Sequence, residues 1–193
     1  MHIRLPLLFP LIAILSIRSL GLASEPAREP GAPPEITSLV ADLRTNLPSL
    51  SANGSWQDRI TVTSGGTMIL GTRGADGKGE IVQTLGTTLD LSREKFVELA
   101  LGVGAQNGVP EVTVAFSDTD GTQYIAHLRI DQVVPQQAVW LRAHLSDFHL
   151  NDWDHKGAGR KIDWTRIKQW HLQGDWTTTA ACQAMFIALR TRR

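Results

Sequence analysis

The sequence predicts an all-β protein with the jelly-roll form of the β-sandwich, and three observations support this fold class. From residue 36 onward, short alternating or fully apolar runs are separated by Gly, Asp, Asn and Pro, at the spacing of an antiparallel sandwich. No stretch of about 12 residues keeps the 3.6-residue period of an amphipathic helix. Residues 118–121, Asp-Thr-Asp-Gly, predict a hairpin between two such runs, because Asp-Gly accepts the positive φ of a tight turn.

Ten segments have the pattern of strands, and we expect at least eight of them to form. In chain order they are residues 37–43, 59–63, 67–72, 80–85, 96–103, 111–117, 123–130, 138–145, 167–173 and 183–190. The region 92–100 is the least regular, because Arg93, Glu94 and Lys95 could open a helical turn before the strand begins.

Alternation within the strands assigns one side of each strand to the core. Val112, Val114 and Phe116 share one side of their strand, and Trp170 and Leu172 share one side of a later strand. The last strand has Met185, Ile187 and Leu189 on one side and Ala184, Phe186 and Ala188 on the other. Apolar residues on both sides are typical of a central strand, so we expect this strand to lie in the middle of a sheet.

Composition indicates one globular domain without a cofactor signature. The chain has 193 residues, of which 42% are hydrophobic, close to the average for globular proteins. Lys plus Arg and Asp plus Glu both number 19, so the positive excess that nucleic-acid binding requires is missing and no such partner is expected. Cys182 is the only cysteine and cannot form an internal disulfide.

The first 23 residues have the pattern of a secretory signal peptide. Arg4 precedes an apolar run of 13 residues, 5–17, and Gly21-Leu22-Ala23 offers the small residues that signal peptidase requires. A helix of that length would span about 20 Å, less than the hydrocarbon core of about 30 Å, so no stable membrane span is expected. Residues 24–35 hold four prolines and predict an extended linker, followed by a single domain over residues 36–193. The expected location is secreted, periplasmic or in the cell envelope.

Three stretches of sequence follow the order of a known family. Residues 64–71 read Ser-Gly-Gly-Thr-Met-Ile-Leu-Gly, and residues 89–92 read Leu-Asp-Leu-Ser. Residues 112–122 contain the Asp-Gly hairpin, and Leu-Ser-Asp-Phe at 145–148 precedes Asp-Trp-Thr at 163–165. Over roughly residues 36–190 this order resembles the galactose-binding-domain-like β-sandwiches, and within them the family-11-type carbohydrate-binding modules. The resemblance implies a jelly-roll fold and a glycan ligand.

Five of the six tryptophans lie within residues 140–176, and two of them are candidates for ligand contact. Trp140 is on the polar side of its strand with Arg142 and His144, whereas Trp153 lies in an irregular polar loop. Indole rings stack on the C–H faces of sugars, and guanidinium and imidazole groups bind hydroxyls. Residues i, i+2 and i+4 of a strand line one face over about 14 Å, the length of two or three sugar rings.

The preceding strand contributes a second polar side. His127 and Arg129 are predicted to lie beside the first row, which makes the predicted carbohydrate-binding residues Trp140, Arg142, His144, His127, Arg129 and Trp153. An ordinary solvated sheet face gives the same pattern. Successive jelly-roll strands often lie in opposite sheets, so the sequence leaves open whether the two polar sides face the same solvent.

No metal site or cofactor is expected from the spacing of the ligands. The pairs Asp118/Asp120 and Asp152/Asp154 offer hard oxygen ligands for a structural calcium, but neither has the spacing of a calcium loop. The chain also departs from the family at residues 186–190, which lack the carboxylates that help to hold that ion.

Catalysis is not expected either, because no Gly-x-Ser-x-Gly nucleophile motif is present and the carboxylates mostly occupy turns. The sequence therefore favours a secreted, non-catalytic carbohydrate-binding module. A module of the same fold that binds another exported protein is the main alternative, and a small glycan-active enzyme is a weaker one.

Overall fold

The structure, a computed structural model, describes residues 36–57, 60–71, 78–104, 111–130, 133–151, 159–175 and 182–193. The expected signal peptide and Pro-rich linker lie outside these residues. The strands are β1 (Thr37–Asp42), β2 (Leu50–Gly54), β3 (Ile60–Thr63), β4 (Gly66–Gly71), β5 (Lys78–Leu89), β6 (Phe96–Val103), β7 (Glu111–Asp118), β8 (Gln123–Arg129), β9 (Ala138–His144), β10 (His149–Leu150), β11 (Ile167–Asp175) and β12 (Cys182–Arg192). A single 3₁₀ turn, Leu145–Asp147, follows β9 within this part of the chain.

The strands form two antiparallel sheets of six strands each. The first sheet has the order β3-β4-β12-β6-β9, and β1 also pairs with β12. The second sheet has the order β10-β8-β7-β11-β5-β2. Neighbours in the sheets are often distant in sequence, as in a jelly roll, and β8 and β9 belong to opposite sheets. The predicted all-β sandwich is confirmed.

The core lies between the inner faces of the two sheets. Val97 and Leu99 of β6 face it from the first sheet, and Val114 and Phe116 of β7 face it from the second, all with no exposed surface. Trp170 of β11 is also fully buried, and its indole N–H donates to Gln83 Oε1 at 2.8 Å. This hydrogen bond lets a large ring with a polar atom lie in the core without leaving the donor unsatisfied.

The last strand occupies the centre of the first sheet, as its apolar pattern predicted. β12 pairs with β6 along one edge and with β4 and β1 along the other. The assignment of its two sides was wrong at one end, because a bulge between Phe186 and Ala188 shifts the alternation. Leu189 therefore faces the main core, while Ala188 joins an apolar cluster on the outer face of the sheet.

Sequence analysis missed two strands and left undecided whether residues 93–95 form a helical turn. β2 reads Leu-Ser-Ala-Asn-Gly and β10 is two residues long, so neither has an apolar alternation that could mark it. Residues 93–95 do not form a helix, since a turn at 92–93 leads directly to β6. The predicted Asp-Gly hairpin joins β7 and β8, with Gly121 at φ 80°.

Candidate functional site

The first row of predicted ligand residues lies on the outer face of the first sheet. Along β9, the edge strand, Trp140, Arg142 and His144 pair with Ala100, Glu98 and Phe96 of β6. The residues between them face the core, where Ala143 is buried and Leu141 is partly buried. Trp140 is half-buried, whereas Arg142 and His144 are exposed. The predicted alternation of β9 is thus confirmed.

A buried carboxylate anchors this face. The side chain of Glu98 is 2% exposed, and its Oε1 accepts from Arg142 Nη2 at 2.7 Å and from Arg142 Nε at 2.8 Å. Its Oε2 accepts from Arg190 Nε at 2.6 Å, and Arg192 Nε lies 3.4 Å from Oε1. Three guanidinium groups from β9 and β12 therefore converge on one carboxylate, and its hydrogen bonds hold those of Arg142 and Arg190 in place.

Aromatic rings support the same guanidinium groups. The guanidinium carbon of Arg190 lies 3.8 Å from the centroid of the Trp140 ring, and that of Arg142 lies 4.7 Å from the Phe96 ring. Phe96 in turn meets His144 edge-on, with ring centroids 5.1 Å apart. The expectation that a sugar ring stacks on the indole therefore needs correction, because Arg190 already covers that face of Trp140. The indole also packs on the outer apolar cluster that contains Ala100.

His144 ends β9 and caps the 3₁₀ turn that follows. Its Nδ1 accepts from the backbone N–H of Ser146 at 3.1 Å and lies 2.6 Å from Ser146 Oγ. The backbone N–H of His144 donates to Asp147 Oδ2 at 3.0 Å. Because Nδ1 accepts, the neutral ring carries its proton on Nε2.

The second predicted row does not lie beside the first. His127 and Arg129 are exposed on β8, and β8 belongs to the second sheet, so the structure places them on the other outer face of the sandwich. The expectation that they lie beside Trp140 is therefore wrong. His127 Nδ1 lies 3.0 Å from Thr113 Oγ1 and 3.1 Å from Glu111 Oε1.

The outer face of the second sheet carries a polar network of its own, centred on Glu80. The carboxylate accepts from Asn53 Nδ2 at 2.8 Å through Oε1, and from Gln173 Nε2 at 3.1 Å through Oε2, which also lies 3.1 Å from His171 Nδ1. The hydrogen bond with His171 is the main cause that lowers the pKa of Glu80 to about 2, against an opposing effect of burial. Sequence analysis had no signal for Glu80 or Asn53.

Ser117, His171 and Glu80 stand in the order of a serine–histidine–carboxylate triad. Ser117 Oγ lies 3.2 Å from His171 Nε2. On the other side of the ring, the Glu80 carboxylate can only accept, so His171 Nδ1 donates its proton to it. Acyl transfer also needs donors for an oxyanion. The backbone N–H groups of Asp118 and Thr119, which follow the serine, instead donate to the carbonyls of Thr122 and Arg166. Ser117 is buried in the sheet, and the set acts as a hydrogen-bonded cross-link of three strands.

The turns next to this face form an open, charged depression of about 640 Å³, lined by Asp118, Asp120, Thr122, Arg160, Lys161, Asp163 and Arg166. Asp118 is buried, and its two oxygens accept the backbone N–H groups of Asp120, Thr122 and Asp163. Arg166 binds Asp163 and Asp120 at 2.8 and 3.3 Å. Asp118 and Asp120 were candidate calcium ligands. In the structure, the Asp118 carboxylate binds backbone N–H groups of the turns, and the Asp120 carboxylate binds Arg166.

Two sequence predictions lie outside the described residues, namely Trp153 as a ligand contact and the pair Asp152/Asp154 as calcium ligands. Within the described ranges, no group of three or more His, Cys, Asp or Glu side chains is arranged to hold a metal ion. No helix in those same ranges is long and apolar enough to cross a membrane.

The fold is similar to those of solved carbohydrate-binding modules. The family 11 module of the cellulosomal cellulase Lic26A-Cel5E of Clostridium thermocellum gives a TM-score of 0.54 at 12% identity, over 80% of this chain and 93% of that one. A family 11 module from Clostridium thermocellum in complex with a β-1,3-1,4-mixed-linked tetrasaccharide gives 0.53 at 14% identity, over 80% and 94%. No family model and no curated protein sequence matches the chain. The similarity concerns the fold, and it confirms the expected β-sandwich and its resemblance to family 11 modules.

Proposed function

We propose that this protein is a non-catalytic glycan-binding module and that its ligand lies along β9 on the outer face of the first sheet. One observation carries the proposal: Trp140, Arg142 and His144 project from alternate positions of an edge strand, and neighbouring groups hold all three in place. The fold similarity to modules that include one solved with a tetrasaccharide adds support.

The shape of this row suits an extended ligand. Alternate residues of a strand are about 7 Å apart, so three of them cover about 14 Å, or two to three sugar rings. Each hydrogen bond to the ligand replaces one to water and contributes about 1 kcal/mol. We therefore expect a dissociation constant of roughly micromolar to millimolar.

Binding of a protein partner is the alternative, and the exposed surface argues against it. Among the described residues, the large apolar side chains that are exposed are Ile36, Leu39 and Val134. Protein interfaces have an apolar, aromatic centre, whereas the β9 face presents a guanidinium, an imidazole and the edge of an indole. This polar surface is better suited to a hydrated glycan.

The non-catalytic character of the module rests on the second sheet. In its Ser117–His171–Glu80 set, the two backbone N–H groups that follow the serine already donate to backbone carbonyls, so neither is available to an oxyanion. We further propose that the protein is exported by the pattern in residues 1–23. N-terminal sequencing of the mature protein from its host should begin near Ser24.

A glycan array probed with the purified protein, followed by titration of the best ligand, tests the proposal. Trp140→Ala should weaken binding by about tenfold, since it removes the indole N–H and the ring that holds Arg190. Trp140→Phe keeps a ring for Arg190 and should weaken binding less. Far-ultraviolet circular dichroism spectra that match the wild type, with cooperative unfolding above the assay temperature, would show that the variants are folded.

His127→Ala reports on the opposite sheet in the same titration. Loss of affinity in this variant, with no loss in Trp140→Ala, would move the site to the second sheet. If no glycan on a broad array binds, the proposed glycan-binding function is wrong.

A further inference from the structure

The outward groups on β9 are all hydrogen-bond donors. Within the described part of the chain, the indole N–H of Trp140, the Nη1 group of Arg142 and the Nε2 position of His144 make no hydrogen bond to the protein, and all three are half-buried or exposed. Trp and Arg side chains donate and never accept. The row therefore offers a ligand three donors, at spacings of about 7 Å.

His144 belongs to this set because of the turn that it caps. The N–H of Ser146 points at Nδ1, so Nδ1 must accept and the proton of the neutral ring must be on Nε2. The outward nitrogen, Nε2, therefore donates.

Arg142 is held in one orientation. Its Nε and Nη2 atoms both donate to the buried Glu98, and its guanidinium lies over Phe96. The side chain nevertheless remains 40% exposed, and Nη1 takes no part in these two hydrogen bonds. A guanidinium fixed in this way loses little further entropy when it binds a ligand.

The charges near the row favour an anion. Among the described side chains, three guanidinium groups meet Glu98, and that carboxylate is 2% exposed and faces them. Asp147 is the carboxylate at the other end of the row, where Oδ2 accepts the backbone N–H of His144. A neutral sugar accepts from these donors through its hydroxyl oxygens, but it brings no negative charge to the guanidinium. Carboxylate and sulfate oxygens only accept.

We infer that the glycan bound along β9 is an anionic one, whose sugar residues carry carboxylate or sulfate groups, and that Arg142 binds the anion. This inference deepens the proposed function and rests on it. Trp140 and His144 then donate to ring, hydroxyl or anionic oxygens of the neighbouring sugar residues. The specificity comes from three side chains that present only donors, together with the fixed guanidinium.

Affinity electrophoresis and calorimetry on the purified full chain test the inference with three probes. Polygalacturonate supplies carboxylates, dextran sulfate supplies sulfates, and mixed-linkage β-glucan is neutral. We expect at least one anionic probe to bind at least about tenfold more tightly than the neutral one at low salt. That affinity should fall severalfold between about 0.05 and 0.5 M NaCl, because the interacting groups are partly exposed and salt screens them.

Two substitutions distinguish an anion site at Arg142 from attraction of the anionic probe by the charge of the protein as a whole. Arg142→Gln should weaken binding of the anionic probe by about tenfold, far more than the matched substitution elsewhere on the surface does. Arg160→Gln is the matched control, because it removes the same charge from an exposed position on the segment before β11. Equal effects of the two substitutions would overturn the inference.

The outcomes for the inference and for the proposed function are distinct. Binding of β-glucan along β9 that equals or exceeds that of both anionic probes would overturn the inference and keep the glycan-binding function. Absence of binding to all three probes and to the array would overturn both. A difference between polygalacturonate and dextran sulfate identifies which anion the site takes.

Discussion

The guanidinium carbon of Arg190 lies 3.8 Å from the centroid of the Trp140 ring, while Nε of the same arginine donates to the buried Glu98 at 2.6 Å. The two strands that carry these residues, β9 and β12, are not neighbours, since β6 lies between them in the sheet. The contact therefore ties an edge strand to the central strand across an intervening one. It also explains why a tryptophan on a polar strand face is half-buried.

The two tryptophans on β9 and β11 should differ in their contribution to stability. Trp170→Ala removes a fully buried ring and leaves Gln83 Oε1 without its donor, so we expect a loss of about 3–5 kcal/mol. Trp140→Ala removes a half-buried ring and a cation–π contact, for which about 1–2 kcal/mol is expected. Urea unfolding followed by circular dichroism measures both. Equal losses would mean that the face assignment of β9 or β11 is wrong.

Acid should act on stability through Glu80. The pKa of this carboxyl is lowered from 4.5 to about 2 in the folded protein, chiefly by the hydrogen bond with His171. A depressed folded-state pKa contributes stability that is fully present above pH 4.5 and is lost as the pH falls from there to about 2. Each pKa unit corresponds to about 1.4 kcal/mol, so the shift contributes on the order of 3 kcal/mol to the free energy of unfolding.

Glu80→Gln removes the titrating group and keeps the size of the side chain. Unfolding free energies of the two proteins should differ most at pH 7 and converge as the pH approaches 2. Other carboxyls, among them Asp163, titrate in both proteins and cancel in the difference. A difference that stays constant between pH 7 and pH 2.5 would show that the charge of Glu80 contributes nothing.

The alternation of apolar residues was sufficient to predict the layers of this protein. Val114 and Phe116 face the core as expected, because a strand with one covered side must place its apolar residues there. The same rule fails at Ala188, where one extra residue in the bulge reverses the sides. A bulge of this kind has no composition signal in the segment 184–189.

Only part of the site could be predicted, and the reason lies in the topology of the sheets. Trp140, Arg142 and His144 share one strand, so the period of two was enough to place them on one face. His127 and Arg129 lie on the strand just before it in sequence, but β8 pairs with β7 and β10, and β9 pairs with β6. Sheet membership depends on pairings with distant strands. The partners Glu98 and Arg190 escaped notice for the same reason, since both are remote from β9 in sequence.

A glycine on β4 should be difficult to replace. Gly66 has φ 147°, and a Cβ built there would lie 2.4 Å from the carbonyl oxygen of Phe186 on the central strand β12. Gly66→Ala should therefore destabilise the protein by at least about 2 kcal/mol. Gly86→Ala is the control, because a Cβ at that position on β5 meets nothing within 4 Å. Thermal unfolding of both variants makes the comparison, and similar melting temperatures would contradict it.

Glu98 should be the most sensitive polar residue of the first sheet. Its carboxylate is 2% exposed and accepts from Arg142 and Arg190, with Arg192 3.4 Å away, so the substitution Glu98→Gln leaves three guanidinium groups facing a neutral amide. Breaking a buried ion pair in this way costs about 3–5 kcal/mol. The double variant with Arg142→Gln removes one of the stranded cations and should recover part of that loss. Denaturant unfolding of the wild type, the two single variants and the double variant gives the coupling energy, and strictly additive losses would show that Glu98 and Arg142 do not interact.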